Sequence, residues 1–364
     1  HINTDFFPRI IISHSNIAHT FSPRSWHLVF TGSAVTFPAD TYLQRTILYN
    51  AIGLGLLLLC IFGNYMYLAK GTWILLAIFL LGLLPPWFFG FYSRQYTLCY
   101  YLALVYPLVY ALLLYRLRDK GAKAIWFLHG LTLLFLVRML FGTIITWSTV
   151  LAAGCLTLLL LCLAIHRGIL TGSSKRTLWL LTVLPYVAAA ACFVILFFQN
   201  SYMRDRLTEF LKGSGYVQQM LALEQQQMLA FGGGTISSYV DTESLASTYV
   251  LHSIFLWFGI VSGILVIVAL AVLVLRSLHY ALHQSNRLAL LAGTAASGIL
   301  LFELLHFVLT NLGCSPVYTA SVPFLSYGFA NSVFNSLLVG ITLGVIRNQN
   351  VLSETTASLR GLRA

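Results

Sequence analysis

Nine stretches of about 20 mostly apolar residues follow one another along the chain, at residues 47–69, 73–92, 98–115, 125–144, 147–165, 178–198, 248–275, 288–312 and 329–346. A hydrocarbon core about 30 Å thick accepts a helix of that length, because each residue rises 1.5 Å and every backbone N–H and C=O finds its partner inside the helix. Nine such windows predict an all-α polytopic membrane protein. The chain has 364 residues, of which 59% are hydrophobic and 9% charged. Soluble domains carry about 45–50% apolar and 25% charged residues, so a water-soluble globule and a disordered chain are both excluded. The organisation that follows is a membrane domain over 46–346, with a segment 1–45 before it, a long polar loop at 199–247 within it, and a tail at 347–364.

A net charge of +11 in a soluble protein points to nucleic acid, but here the charges sort by side. Alternating the windows places thirteen Lys or Arg and two acids, Asp119 and Glu354, on one face; the other holds seven basic and seven acidic residues. The positive-inside rule makes the first face cytoplasmic and puts the long loop outside, so no nucleic acid partner is expected. A span that starts outside needs delivery, and the chain opens at His1 without Met, so a helix preceding His1 is expected. The cysteines Cys60, Cys99, Cys155, Cys162, Cys192 and Cys314 fall mostly in apolar runs without a CxxC pair, and read as packing residues.

Two charged side chains, Arg138 and Glu303, fall well inside apolar windows. Each costs at least about 2.5–3.5 kcal/mol at the bilayer centre if it faces lipid, so both are expected to face the bundle interior. They read as an ion pair between the fourth and eighth helices, or as part of a substrate or proton path. His306 stands one turn after Glu303 on the same face, and His252 lies near the start of the seventh window; both read as interior polar residues. In the long loop, two short helices are expected at 202–211 and 217–231, with glycines at Gly213, Gly215 and Gly232 to Gly234 allowing turns and close approach to a ligand.

The segment from Pro316 to Gly328, reading PVYTASVPFLSYG, is followed by Asn335 and Gly340 and preceded by Asn311 and Gly313. It resembles the C-terminal signature of the shape, elongation, division and sporulation (SEDS) family, the FtsW, RodA and SpoVE proteins, which reads roughly P-x-T-G-x-x-L-P-F-x-S-Y-G-G. The loop residues Arg206, Leu207, Phe210, Leu211, Gly215, Tyr216, Gln219, Ala230 and Gly232 follow a second family progression in the same order. Members have ten spans, which fits nine plus a helix before His1.

The resemblance implies a peptidoglycan glycosyltransferase of the bacterial cytoplasmic membrane, serving cell shape, division or sporulation. It implies polymerisation of lipid II, an undecaprenyl-linked disaccharide, on the outer face with a class B penicillin-binding protein as partner. Displacing a pyrophosphate by a sugar hydroxyl needs a carboxylate base and a cation at the leaving group, with Mg or Mn as a possible divalent cofactor and its ligands unassigned. The family's essential outer Asp is expected near Ser244 to Thr248, where this chain has none; Asp241 and Glu243 are the nearest carboxylates. They are the candidate catalytic residues, with Arg204, Arg206, Lys212, Ser326, Tyr327 and Asn335 as candidate substrate-binding residues. Further departures are Met139 to Thr143 in place of P-D-L-G-T, Leu98 to Ala103 in place of S-E-L-x-K, and Phe329 in place of the last signature Gly. Three readings stay open: a divergent polymerase, a catalytically silent family member that scaffolds or regulates a penicillin-binding protein, and a transporter or flippase for lipid-linked sugars.

Overall fold

The computed structural model describes residues 39–63, 65–83, 93–140, 144–232, 247–315 and 321–347. Thirteen α-helices follow in order: α1 (Ala39–Phe62), α2 (Met66–Lys70), α3 (Thr72–Leu83), α4 (Ser93–Arg116), α5 (Ala122–Leu140), α6 (Ile144–His166), α7 (Lys175–Gln199), α8 (Ser201–Leu211), α9 (Tyr216–Gln225), α10 (Val250–Phe258), α11 (Ile260–Leu282), α12 (Arg287–Asn311) and α13 (Phe329–Arg347). Among the described residues six helices are long and apolar enough to cross a membrane, and α3 with parts of α4 and α5 are shorter apolar helices. These nine elements answer the nine windows. The segments 1–38 and 348–364 lie outside the described residues.

Three expected boundaries are corrected. The window 47–69 divides after Phe62, with α2 following the turn around Gly63 and Tyr65. The window 248–275 is two helices, α10 and α11, because Gly259 at φ +88° and ψ 165° leaves helical geometry between them. The second loop helix ends at Gln225 rather than near 231, and Met228 follows it in non-helical chain.

Helix α12 is the axis of the bundle. Its start is capped by Asn286, whose Oδ1 accepts from the N–H groups of Leu288 (2.9 Å) and Ala289 (3.4 Å). It is buried along most of its length and packs against α4, α6, α11 and α13. Helix α7 is the opposite case, with Leu180 and Leu184 71% and 73% exposed, as expected of a peripheral helix turned to lipid. Stacked rings join the interior of α4 to α5, Tyr106 lying 4.2 Å from Phe135 at 7°.

Contacts at the two ends agree with the alternation of the windows. At one end Arg347 donates to the Ile61 carbonyl (2.9 Å), Arg167 to Leu282 (3.1 Å) and the Thr171 N–H to Arg118 (3.0 Å), so the basic loops lie together. At the other end Gln225 donates to Leu312 (3.4 Å) and Ser332 to Asn50 (3.2 Å), gathering the long loop, the end of α12 and the start of α13.

The last helix is seated against α1 through small residues. A Cβ on Gly340 would fall 2.7 Å from the Cβ of Cys60 and 3.0 Å from the Leu57 carbonyl oxygen, and one on Gly344 would fall 2.7 Å from the Cys60 carbonyl oxygen. Gly340 and Gly344 are four residues apart and so share one helix face, a small-xxx-small pattern that lets two backbones approach where lipid offers no hydrophobic drive to association. Cys60 is half-buried in this seam, as a packing residue should be, and it is a free thiol together with Cys155, Cys162, Cys192 and Cys314. Replacing Gly340 by Val is expected to destabilise the protein by about 1–3 kcal/mol through overpacking, read as a lowered apparent Tm in detergent, while Gly55→Val, at a site with open space, leaves Tm unchanged.

Candidate functional site

The outer end is built around α10, a nine-residue helix buried from Val250 to Leu256. An apolar helix this short cannot cross a bilayer. It ends where Gly259 meets the long loop: a Cβ there would lie 2.6 Å from the Ala230 carbonyl oxygen, so glycine is required both by φ and by the contact. The first N–H groups of α11, which have no partner within their helix, donate across this junction from Ile260 to Leu229 (3.0 Å) and from Val261 to Ala230 (3.2 Å). A loop that reads as solvated connector is thereby bonded to the start of a span.

The second attachment is polar and buried. His252 Nε2 lies 2.6 Å from Glu224 Oε2, with the two side chains 0% and 2% exposed. Asn311, at the end of α12, accepts the His252 backbone N–H on Oδ1 (3.0 Å) and donates through Nδ2 to the carbonyls of Thr248 (2.9 Å) and Phe307 (2.8 Å). Glu224 on α9, His252 on α10 and Asn311 on α12 therefore tie the loop, the short helix and the bundle axis into one body. Breaking a buried pair of this kind by removing one partner typically costs about 3–5 kcal/mol, because the group left behind cannot return to water.

The signature segment forms a tight turn beside this junction. The Val322 N–H donates to Ser326 Oγ (3.1 Å), and Asn331 Nδ2 donates to the carbonyls of Val322 (3.3 Å) and Ser326 (2.6 Å). Asn335 donates to Asn331 one turn along α13. Phe324 sits at φ +66°, a left-handed conformation costing a bulky residue on the order of 1–3 kcal/mol, which these bonds hold in place. Tyr327 packs on Tyr49 of α1 with ring centroids 6.1 Å apart.

The structure brings together only some of the residues that the sequence singles out. Ser326, Tyr327 and Asn335 share the signature turn and the start of α13. Arg204 and Lys212 are exposed and Arg206 half-buried on or just beyond α8, which packs against α7. His252 joins Glu224, and Glu303 makes its hydrogen bond with Ser321 (3.3 Å), while His306 stacks on Phe302 at 5.4 Å. Arg138 belongs to α5, and its side chain lies outside the described residues, as do Asp241, Glu243 and the segments 233–246 and 316–320. Glu224 is the buried residue of this junction that sequence reasoning missed: an acid in a Gln-rich stretch gives no sign of burial until α9 is seen against α10. Its place three residues after Leu221, the other buried residue of α9, is the one signal that helical spacing offers.

No three His, Cys, Asp or Glu side chains converge as metal ligands among the described residues. Asp241 and Glu243 lie outside the described residues, so the divalent cation stays an expectation of the chemistry, and no step is derived through one.

No family model matches the chain, and no curated protein does. Among solved structures it is similar to one described under "Structural coordination of polymerization and crosslinking by a peptidoglycan synthase complex", with 19% identity and a TM-score of 0.63 over 90% of this chain and 96% of that one. It is similar also to a mutant of the rod shape determining protein RodA of Thermus thermophilus, with 18% identity and a TM-score of 0.52 over 90% of this chain and 94% of that one. At these identities the likeness establishes the fold: the chain is an all-α polytopic bundle of the RodA type, as the signature resemblance implies.

Replacing Asn311 by Ala removes the partner of the His252 N–H and the Thr248 carbonyl, at a cost on the order of 1–3 kcal/mol. Hydrogen exchange is expected to accelerate in 216–225 and 250–258, with little change in α1 and α13; uniform exchange across the chain would contradict the junction described.

Proposed function

We propose that the chain is a divergent SEDS protein that polymerises lipid-linked disaccharide at the outer face of a bacterial cytoplasmic membrane, in partnership with a class B penicillin-binding protein. The observation that carries this reading is the RodA-type fold, shared over 90% of the chain with a structure described as a peptidoglycan synthase complex. The signature turn and the loop junction support it, since both stand at the end opposite the basic loops, where positive-inside asymmetry places the outer face.

In this reading the 4-hydroxyl of one sugar attacks the anomeric carbon of another, the carbon–oxygen bond to the undecaprenyl pyrophosphate breaks, and the hydroxyl proton passes to a carboxylate. Asp241 or Glu243 takes that proton. Arg204, Arg206 and Lys212 offset the charge growing on the pyrophosphate, and Ser326, Tyr327 and Asn335, on the signature turn and the start of α13, bind the substrate. General-base catalysis contributes about 10²–10⁴-fold. A divalent cation remains an expectation of this chemistry, tested by chelation.

One observation favours a second reading, a silent member that scaffolds or regulates its partner. The stretch in which the family carries its outer Asp is here Ser244, Leu245, Ala246, Ser247 and Thr248, with no ionisable group.

The test is lipid II polymerisation by the purified chain in divalent cation, with and without EDTA and a penicillin-binding partner, comparing wild type with Asp241→Ala and Glu243→Ala. The polymerase reading expects glycan product that falls at least about 100-fold in one of the two variants. Absence of product from the wild type under every condition, with the partner bound, selects the scaffold.

A further inference from the structure

Glu303 lies in the middle of α12, 1% exposed, more than two turns from either end of a helix that crosses the membrane. Its Oε1 accepts one hydrogen bond, from Ser321 Oγ at 3.3 Å, and its Oε2 has no hydrogen-bond partner among the described residues. Neither ion pair found among the described residues includes it. The groups around it are phenols. Tyr100 and Tyr101 of α4, both 7% exposed, lie near Glu303 and Ser321, and Tyr101 stacks on Phe334 of α13 at 4.7 Å.

Among the described side chains, the other helices packed against α12 bring no cation to Glu303; the side chains of Arg94 on α4 and Arg138 on α5 lie outside the described residues, and pairing with either is what a carboxylate band in the test below would report. Arg276 and His279 belong to the basic half of α11 and His166 ends α6, while His252 on α10 is committed to Glu224. On α12 itself, His306 stacks on Phe302, and neither ring nitrogen has a partner among the described residues. Among the described residues an ionised carboxylate in this setting would hold a full charge in low dielectric with one long hydrogen bond and no cation, an arrangement that proteins avoid by neutralising the group.

We infer that Glu303, with Ser321 bonded to it, forms an intramembrane proton-binding site, in which Glu303 is carried as a neutral carboxylic acid. The site is separate from the outer-face chemistry proposed above and does not rest on it. The neutral acid carries no charge into the low dielectric and keeps its bond from Ser321, because a protonated carboxyl still accepts on its carbonyl oxygen. Ser321 couples it to the signature turn, because the residue that donates to Glu303 immediately precedes Val322, whose N–H and carbonyl both hold that turn together.

Infrared spectroscopy reads the protonation state without requiring a reagent to reach the site. The full chain in an ester-free detergent at neutral pH is compared with Glu303→Gln, which keeps shape and hydrogen bonding but has no acid proton. The wild-type-minus-variant difference is expected to show a protonated-carboxyl C=O band, shifted by deuteration, and no loss in the carboxylate region. The variant is expected to keep the wild-type Tm, since a neutral amide replaces a neutral acid. A difference spectrum with a carboxylate band in place of the acid band would overturn the proposal, and so would a large fall in Tm for Glu303→Gln with no acid band in the wild type.

Discussion

A loop of nearly fifty residues on a membrane bundle has to be anchored to the spans beneath it, or it contributes nothing to the geometry of their outer end. Here the anchor is the 2.6 Å contact between Glu224 and His252, drawn into the bundle axis by Asn311. Both side chains are out of water, so removing either one takes this contact from the other with no water at hand to replace it. The backbone bonds from Ile260 and Val261 to Leu229 and Ala230 add a second tether, beginning five residues after Glu224 on the loop and eight after His252. From Glu224 to Ala230 the loop is part of the folded domain.

The rest of the architecture prepares that end. Burial of α12 makes it a rigid axis, and its final turn presents Asn311 where α10 begins. The close seating of Gly340 and Gly344 on α1 fixes α13, and α13 in turn carries Asn331 and Asn335 under the signature turn. Strain at Phe324 is retained because hydrogen bonds over-determine the turn from both sides, a combination that proteins concentrate at working surfaces. The peripheral α7 does none of this and stays turned to lipid.

Much of the fold was legible in the sequence because the bilayer imposes a length and a hydropathy on every span, and each of the nine windows holds an apolar helix, two of them broken into a second helix. What hydropathy cannot read is interruption. The window 248–275 is apolar throughout, and only Gly259 in its left-handed conformation separates α10 from α11. Part of the site was equally legible: the motif through Ser326, Tyr327 and Asn335 identified a real structural unit. Glu224 was not, since its meaning lies in a contact across twenty-eight residues with His252 that neither helix period nor composition encodes. Asp241 and Glu243 follow from the family pattern alone, and the described residues leave them as the chemical half of the proposal.

The central claim, that a buried Glu224–His252 pair holds the loop to the bundle, is tested most directly by a double-mutant cycle on those two residues, with Glu224→Gln, His252→Gln and both together compared by unfolding in detergent. A real contact predicts that the double variant costs less than the sum of the singles, with a coupling of about 1–3 kcal/mol. Additive losses would contradict it, since they would mean that each side chain contributes to stability independently of the other.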